Sequence, residues 1–185
     1  MSHGAKARLR QELLARRRSR TGIAAAGSAL AAHAAAEPLL ARARRIAVYL
    51  SMPTEPPTGP MIEAWLSAGA EVLAPVVTAD RLAWVELAPD QPTTLSPLGF
   101  AEPDGPHVDL GECDVIVVPA LAADHAGHRL GRGAGYYDRA LAGVSAPTVA
   151  VVFTDELLPQ IPFEPHDVPV DAVLTPSGLF RVLRS

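Results

Sequence analysis

Apolar and polar positions repeat with two different periods along this chain, and the change from one to the other outlines its elements. From Lys6 to about Arg20, Leu9, Leu13 and Leu14 recur at helical spacing with arginines over the remaining faces, which predicts an amphipathic helix. Lys6 and Arg10 lie four apart and share one face of it. An alanine-dominated helix is expected from Gly22 to Ala36, and Pro38 suits the first turn of another, which ends in the basic cluster Arg42, Arg44 and Arg45. The run Ile46–Leu50 then reads as a buried strand, followed by a Pro/Gly/Thr-rich loop through Gly59 and a short helix from Met61 to Ala68, stopped by Gly69. Glu71–Val77 and Arg81–Leu87 are strand candidates around a turn at Thr78-Ala79-Asp80, although Pro75 is awkward inside a strand. Residues 88–112 are proline-rich and read as irregular.

Val115–Val118 is the cleanest buried strand, with a glycine loop expected directly after it. A helix over Tyr136–Ala142, a strand over Thr148–Phe153 and a further strand at 172–174 complete the series. Strands alternating with helices predict an α/β fold. The expected form is one domain over residues 1–185, a three-layer sandwich with a mostly parallel sheet and helices on both faces. Ligands of such folds bind beyond the carboxyl ends of the strands.

Composition narrows the class. With 49% hydrophobic and 19% charged residues the chain is globular rather than disordered. Cys113 is the sole cysteine, so a reducing compartment and a buried structural thiol are expected. No apolar run reaches the roughly 18 residues of a membrane span, and the N-terminus lacks the apolar core of a secretory signal. A cytoplasmic monomer with no membrane partner is the expectation. The net charge of −4 hides an asymmetry: residues 1–45 carry a balance of +8 and residues 46–185 one of −12. Such a basic segment can bind nucleic acid, dock onto its own body or serve as an organellar address. Aromatics do not interleave with its arginines, which argues against nucleic acid. Lys6 is the only lysine in the protein.

Chemistry concentrates in Arg129-Leu130-Gly131-Arg132-Gly133-Ala134-Gly135-Tyr136-Tyr137-Asp138. Glycines at alternate positions let the backbone approach a ligand closely, and arginines supply forked positive charge for phosphate oxygens. The run reads as an anion-binding turn for a nucleotide phosphate; its bland counterpart is a glycine-rich surface turn with solvated arginines. It lacks the Gly-Lys-Ser/Thr of a Walker loop and the G-x-G-x-x-G of a dinucleotide site. Asp138 suits either a Mg²⁺ ligand or a helix N-terminal acid. Glu55, at a strand exit, suits either a ligand amine or a solvated loop. Asp167 is a candidate second metal carboxylate, with Asp171 close behind it in sequence. His125 and His128 read as loop or supporting residues rather than metal ligands. Trp65 is expected in the core, and Trp84 in the core or a ligand pocket.

These motifs, in this order, resemble the 5-formyltetrahydrofolate cyclo-ligase family, also called 5,10-methenyltetrahydrofolate synthetases. The likeness covers Lys6-x-x-Leu9-Arg10, Tyr49-Leu-Ser-Met-Pro with Glu55, and Gly99 with Glu102-Pro103. It continues through Val117-Val-Pro-Ala-Leu-Ala-Ala-Asp124, the Arg129–Asp138 signature and His166-Asp167-Val-Pro-Val-Asp171. The resemblance implies ATP- and Mg²⁺-dependent conversion of 5-formyltetrahydrofolate to 5,10-methenyltetrahydrofolate, through phosphorylation of the formyl oxygen and ring closure. It implies that Lys6 and Arg10 reach the ATP phosphates and that Arg129, Leu130, Gly131, Arg132, Gly133, Ala134, Gly135, Tyr136 and Tyr137 form the ATP loop. Arg132 and Tyr136 would be catalytic, with Arg132 nearest the transferred group. Tyr49, Met52, Glu55 and Tyr136 would contact the folate, and Asp138 and Asp167 would hold Mg²⁺. Ala120 stands where the family usually has Gly, Ala123 where it has an aromatic, and Ala134 where Lys or Gly is common; the first two imply a looser pocket floor. The competing readings are a non-catalytic ATP-binding paralogue and a sugar-phosphate isomerase-like enzyme, which would need a catalytic base and no ATP.

Overall fold

In the segments Ile46–Val48 and Val115–Val118 nearly every residue is apolar, because both faces of their sheet are covered. Ile46, Val48, Val115 and Val117 face one layer, while Ala47, Ile116 and Val118 face the other. A computed structural model of the chain describes residues 2–79, 81–89, 91–96 and 99–182. Asp80 of the expected turn lies outside the described residues, as do Asp90, Pro97 and Leu98 of the proline-rich stretch.

The chain begins with helices α1 (Ser2–Arg18), α2 (Ile23–Ala36) and the single-turn α3 (Pro38–Ala41). Strand β1 (Arg45–Val48), helix α4 (Gly59–Ser67) and strand β2 (Glu71–Thr78) form a crossover unit, and β3 (Arg81–Glu86) folds back on β2. The stretch expected to be irregular contains short strands β4 (Thr93–Leu95), β5 (Ala101–Pro103) and β6 (His107–Val108). After β7 (Val115–Pro119) come the paired β8 (Ala122–Asp124) and β9 (Arg129–Leu130), then α5 (Tyr136–Leu141). Strands β10 (Thr148–Val151), β11 (Leu157–Leu158), β12 (Ala172–Thr175) and β13 (Gly178–Arg181) complete the fold. Among the described residues no helix is long and apolar enough to cross a membrane.

The main sheet has eight strands in the order β13-β12-β10-β7-β1-β2-β3-β6. Its centre, from β12 to β2, is parallel; β13, β3 and β6 are antiparallel additions at the edges. The chain moves outward from β1 to β2, then returns to the other side of β1 with β7. That reversal opens a crevice at the carboxyl ends of β1 and β7, where doubly wound sheets bind ligands. Helices α2, α3 and α4 cover one face with Leu30, Leu40, Met61 and Trp65. The opposite face is closed by α5 and by loop residues such as Leu110, Cys113 and Val170. Trp65, Trp84 and Cys113 are all buried in these layers, and burial raises the Cys113 thiol pKa.

Pro75 fits because β2 outruns β1, whose pairing ends at Ala47 opposite Leu73. Two residues on, the Val77 N–H donates to Glu102 Oε1 at 2.8 Å instead of to a strand. N–H groups two apart point the same way, so the Pro75 nitrogen faces a side with no ladder bond to lose.

The glycine loop does not follow β7 directly. The β8–β9 hairpin intervenes, and its turn is clamped where the Val170 N–H donates to the Gly127 carbonyl at 2.8 Å. Gly127 has φ of 86°, and a Cβ there would lie 2.5 Å from the Val170 carbonyl oxygen. Gly143, with φ of 81°, has nothing within 4 Å of the same added atom. Gly143→Ala should therefore cost only the left-handed penalty, about 1–2 kcal/mol. Gly127→Ala should cost clearly more, because backbone must also move; urea unfolding of the two variants measures the difference.

Candidate active site

The crevice at β1 and β7 is a cleft of about 830 Å³. Its walls bring together separated parts of the chain, among them α1, the exit of β1, the segment from β9 into α5, and the loop holding Glu164 and Asp167. Every residue expected in the site lines it: Lys6, Arg10, Tyr49, Met52, Glu55, Asp138, Asp167 and the run from Arg129 to Tyr137. Asp171 does not; its carboxylate accepts from the Thr148 N–H at 2.8 Å and ties β10 to the start of β12.

Within the expected loop, Arg129 and Leu130 are strand residues. Leu130 packs beside Leu13 and Ile161. The Arg129 guanidinium is buried, donates to Asp138 Oδ1 at 2.6 Å and lies 6.0 Å from the Tyr137 ring centre. The open turn is Gly131–Gly135. Arg10 Nε donates to the Gly131 carbonyl at 2.8 Å and its guanidinium lies over Gly133, which has φ of 107°. A side chain at Gly133 would be strained there and would stand between Arg10 and the turn. Gly135, also left-handed, caps α5, so Asp138 sits in the first turn of that helix.

Glu55 is not a solvated loop acid. It is buried, its Oε2 accepts from the Met52 N–H at 3.0 Å, and its Oε1 accepts from Arg132 Nε at 3.2 Å. The Arg132 side chain remains 43% exposed, so this cation faces the cleft. Tyr49 is nearly inaccessible; its hydroxyl donates to the Pro56 carbonyl at 2.9 Å, and burial raises its pKa far above the usual value. Burial likewise raises the pKa of Tyr137, whose ring meets Trp84 edge-on. The Arg139 guanidinium lies 5.2 Å from the Tyr136 ring centre.

Asp138 and Asp167 face the same cleft, each already paired with a cation. Glu164, His166 and Asp167 form a group with ligand atoms within 4.8 Å of one another. Lys6 Nζ, almost wholly buried, donates to Glu164 Oε2 at 2.9 Å and to Asp167 Oδ2 at 2.5 Å. His128 is a supporting residue: Nδ1 lies 3.0 Å from buried Asp124, and its ring stacks on Phe163. Ala120 lines the cleft floor, whereas Ala123 is a core residue of β8 outside the lining, so its small size does not loosen the floor.

Sequence reasoning missed Arg17, Glu164 and the apolar wall of Pro75, Val77, Leu82 and Phe100. Arg17 was expected on a polar face. Its place eleven residues after Lys6 and seven after Arg10, both on the inner stripe of α1, was the available signal. The wall had no signal, because it forms only when β3 folds onto β2 and Phe100 is brought alongside.

Residues 2–176 match the 5-formyltetrahydrofolate cyclo-ligase family. A 5-formyltetrahydrofolate cyclo-ligase of Mycolicibacterium smegmatis is 41% identical, with 100% of each chain covered. One from Escherichia coli K12 is 33% identical over 78% of this chain and 84% of its own. The NMR structure of Aquifex aeolicus 5,10-methenyltetrahydrofolate synthetase superposes with a TM-score of 0.85 at 26% identity, covering 97% of this chain and 94% of that one.

The Lys6 cluster has a definite electrostatic signature. Burial opposes the charges of Lys6 and Asp167, but their mutual hydrogen bond and attraction, with that of Glu164, outweigh it. The Lys6 pKa is raised and the Asp167 pKa lowered. The hydrogen bond from Lys6 also lowers the Glu164 pKa. Unfolded Asp titrates near ~3.9 and unfolded Lys near ~10.4. Stability from the depressed Asp167 is present above its unfolded value and lost as pH falls through the folded one. Stability from the raised Lys6 is present below its unfolded value and lost as pH rises through the folded one. The unfolding free-energy difference between wild type and Lys6→Met should thus shrink as pH falls below about 4 and as it rises above about 10. Urea titrations across pH measure it.

Proposed function

The chain belongs to the 5-formyltetrahydrofolate cyclo-ligase family, and we propose that this cleft performs the reaction named by that family, with ATP as co-substrate and Mg²⁺ as the metal. In this reading the protein works as one domain over residues 1–185, a cytoplasmic monomer. The formyl oxygen of 5-formyltetrahydrofolate attacks the terminal phosphorus of ATP, and ADP leaves. The neighbouring folate nitrogen then attacks the activated carbon and gives up its proton, the carbon–oxygen bond breaks, and 5,10-methenyltetrahydrofolate and phosphate, which takes up that proton, result.

The observation that carries this reading is one cleft joining the Gly131–Gly135 turn, the cations Lys6, Arg10 and Arg132, and the carboxylates Asp138, Glu164 and Asp167. Phosphoryl transfer asks a protein mainly for positioning and for charge held in place before the reaction. Arg132, anchored by Glu55 but facing the cleft, is suited to neutralise the transferring group. The Gly131–Gly135 backbone and Arg10 would cradle the phosphates. Leu50, Met52, Pro75, Phe100 and Tyr136 offer the folate rings an apolar, water-poor wall. Glu55 and Tyr49 would shape its end, Tyr49 through packing because its hydroxyl is already bonded to Pro56.

The donors fit Mg²⁺. Asp167 and Glu164 already surround a positive charge, the Lys6 ammonium, and Asp138 adds a carboxylate on the same cleft. When bound, Mg²⁺ would offset the negative charge of the phosphates. Lys6, held between these carboxylates, lines the same cleft as the glycine turn and would direct its ammonium toward phosphate. The isomerase alternative needs a free base, yet Glu55, Asp138, Glu164 and Asp167 are each paired with a cation.

The direct test follows methenyl-folate absorbance with 5-formyltetrahydrofolate, Mg²⁺ and ATP; no ATP-dependent product from folded protein defeats the reading. Arg132→Ala should lower kcat about 10²–10³-fold, the size seen when one donor to a developing charge is removed. Its expected effect on the Michaelis constants is small, and steady-state kinetics checks both.

A further inference from the structure

Helix α1 turns Lys6, Arg10, Leu13 and Arg17 toward the protein body, at spacings of four, three and four residues. The proposed function uses Lys6 and Arg10, and Leu13 packs in a small apolar cluster. Arg17 remains, and it is the most deeply buried charge of the helix, with 1% exposure. Its Nε donates to Glu156 Oε1 at 2.8 Å, and its Nη2 donates to Glu156 Oε2 at 2.7 Å and to the Ala120 carbonyl at 2.6 Å. Glu156 is equally buried, and its carboxylate also accepts from the Phe153 N–H at 3.0 Å.

The three acceptors of Arg17 lie in two places, one on the floor of the crevice and one behind it, beyond the neighbouring strand. Ala120 is the first residue after β7 and lines the cleft floor. Glu156 follows β10, the next strand in the sheet. Apolar contacts alone would hold α1 by area and tolerate sliding. A planar guanidinium committed to three acceptors tolerates neither rotation nor slip. Slipping the helix by one residue would turn Lys6 by about 100° about its axis, away from Glu164 and Asp167.

We propose that Arg17 is a positioning residue for the nucleotide. With Glu156 it fixes the register of α1 on the sheet, so that Lys6 and Arg10 meet the phosphates above a floor set by the Ala120 carbonyl. This role rests on reading the cleft as the ATP site.

Removing one partner would leave an uncompensated buried charge, so the informative variant replaces both, Arg17→Met with Glu156→Met. Arg17→Lys is the second variant: it keeps the charge and the aliphatic stem but loses the fork, and it covers the case in which the Met pair fails to fold. Calorimetry with ATP and Mg²⁺ gives nucleotide affinity without turnover, and steady-state kinetics gives the two Michaelis constants separately. The expected result is about a tenfold weaker Kd and a tenfold higher KM for ATP, with KM for 5-formyltetrahydrofolate within about twofold of wild type. Unchanged ATP affinity in a folded variant overturns the role, and so does an equal rise in both Michaelis constants, the mark of general loosening. A wild type that binds no ATP overturns the nucleotide reading itself and this role with it. Wild-type binding that the variants retain overturns the positioning role alone.

Discussion

Charge pairing between the first helix and carboxylates 139 to 161 residues further along closes one side of this molecule's cleft. Helix α1 has few buried apolar side chains, chiefly Leu13 with Leu9 and Leu14 partly covered. Its attachment is polar: Lys6 to Glu164 and Asp167, Arg10 to the Gly131 carbonyl and Arg17 to Glu156, with Arg20 to Asp155 just beyond its end. Burying an ion costs several kcal/mol unless a partner and further hydrogen bonds compensate. For Arg17 that compensation is met by both oxygens of one carboxylate and a backbone carbonyl. The same demand makes the docking directional. Lys6, Arg16, Arg17 and Arg20 of the basic N-terminal segment thus meet Asp155, Glu156, Glu164 and Asp167 of the acidic remainder in one internal contact.

The sheet explains why that contact lies where a ligand can use it. Reversal of strand order at β1 and β7 separates the connections leaving their carboxyl ends, and α1 lies beside the gap. The β8–β9 hairpin carries the chain from β7 across to the glycine turn, held by its bond to Val170. Consequently the turn, the N-terminal cations and the Glu164–Asp167 loop meet although their sequences are far apart.

The cleft stores its charges in pairs. Glu55 holds Arg132, Asp138 holds Arg129, and Asp167 with Glu164 holds Lys6. Pairing keeps each group oriented before any ligand arrives, which is the condition for electrostatic stabilisation without reorganisation. The pairs are not equivalent. Arg129 is buried and acts within the scaffold, whereas Arg132 is substantially open to the cleft.

Much of this was legible locally. Apolar runs located β1, β7, β10 and β12; the glycine–arginine run located the turn; strand–helix alternation predicted the layered sheet. Such features depend on neighbours within a few residues, so sequence by itself determined them. Three things were decided only by tertiary structure. The first is Arg17, assigned by local pattern to a polar face and buried by Glu156, a partner 139 residues away. The second is the apolar wall, which exists only once Phe100 lies beside β2 and β3. The third is the fate of the cleft carboxylates, since Asp167 reaches Lys6 while Asp171, four residues later, serves Thr148. The physical reason is common to all three. A side chain's charge and shape are written in the sequence, but its desolvation and its partner exist only after distant segments have packed.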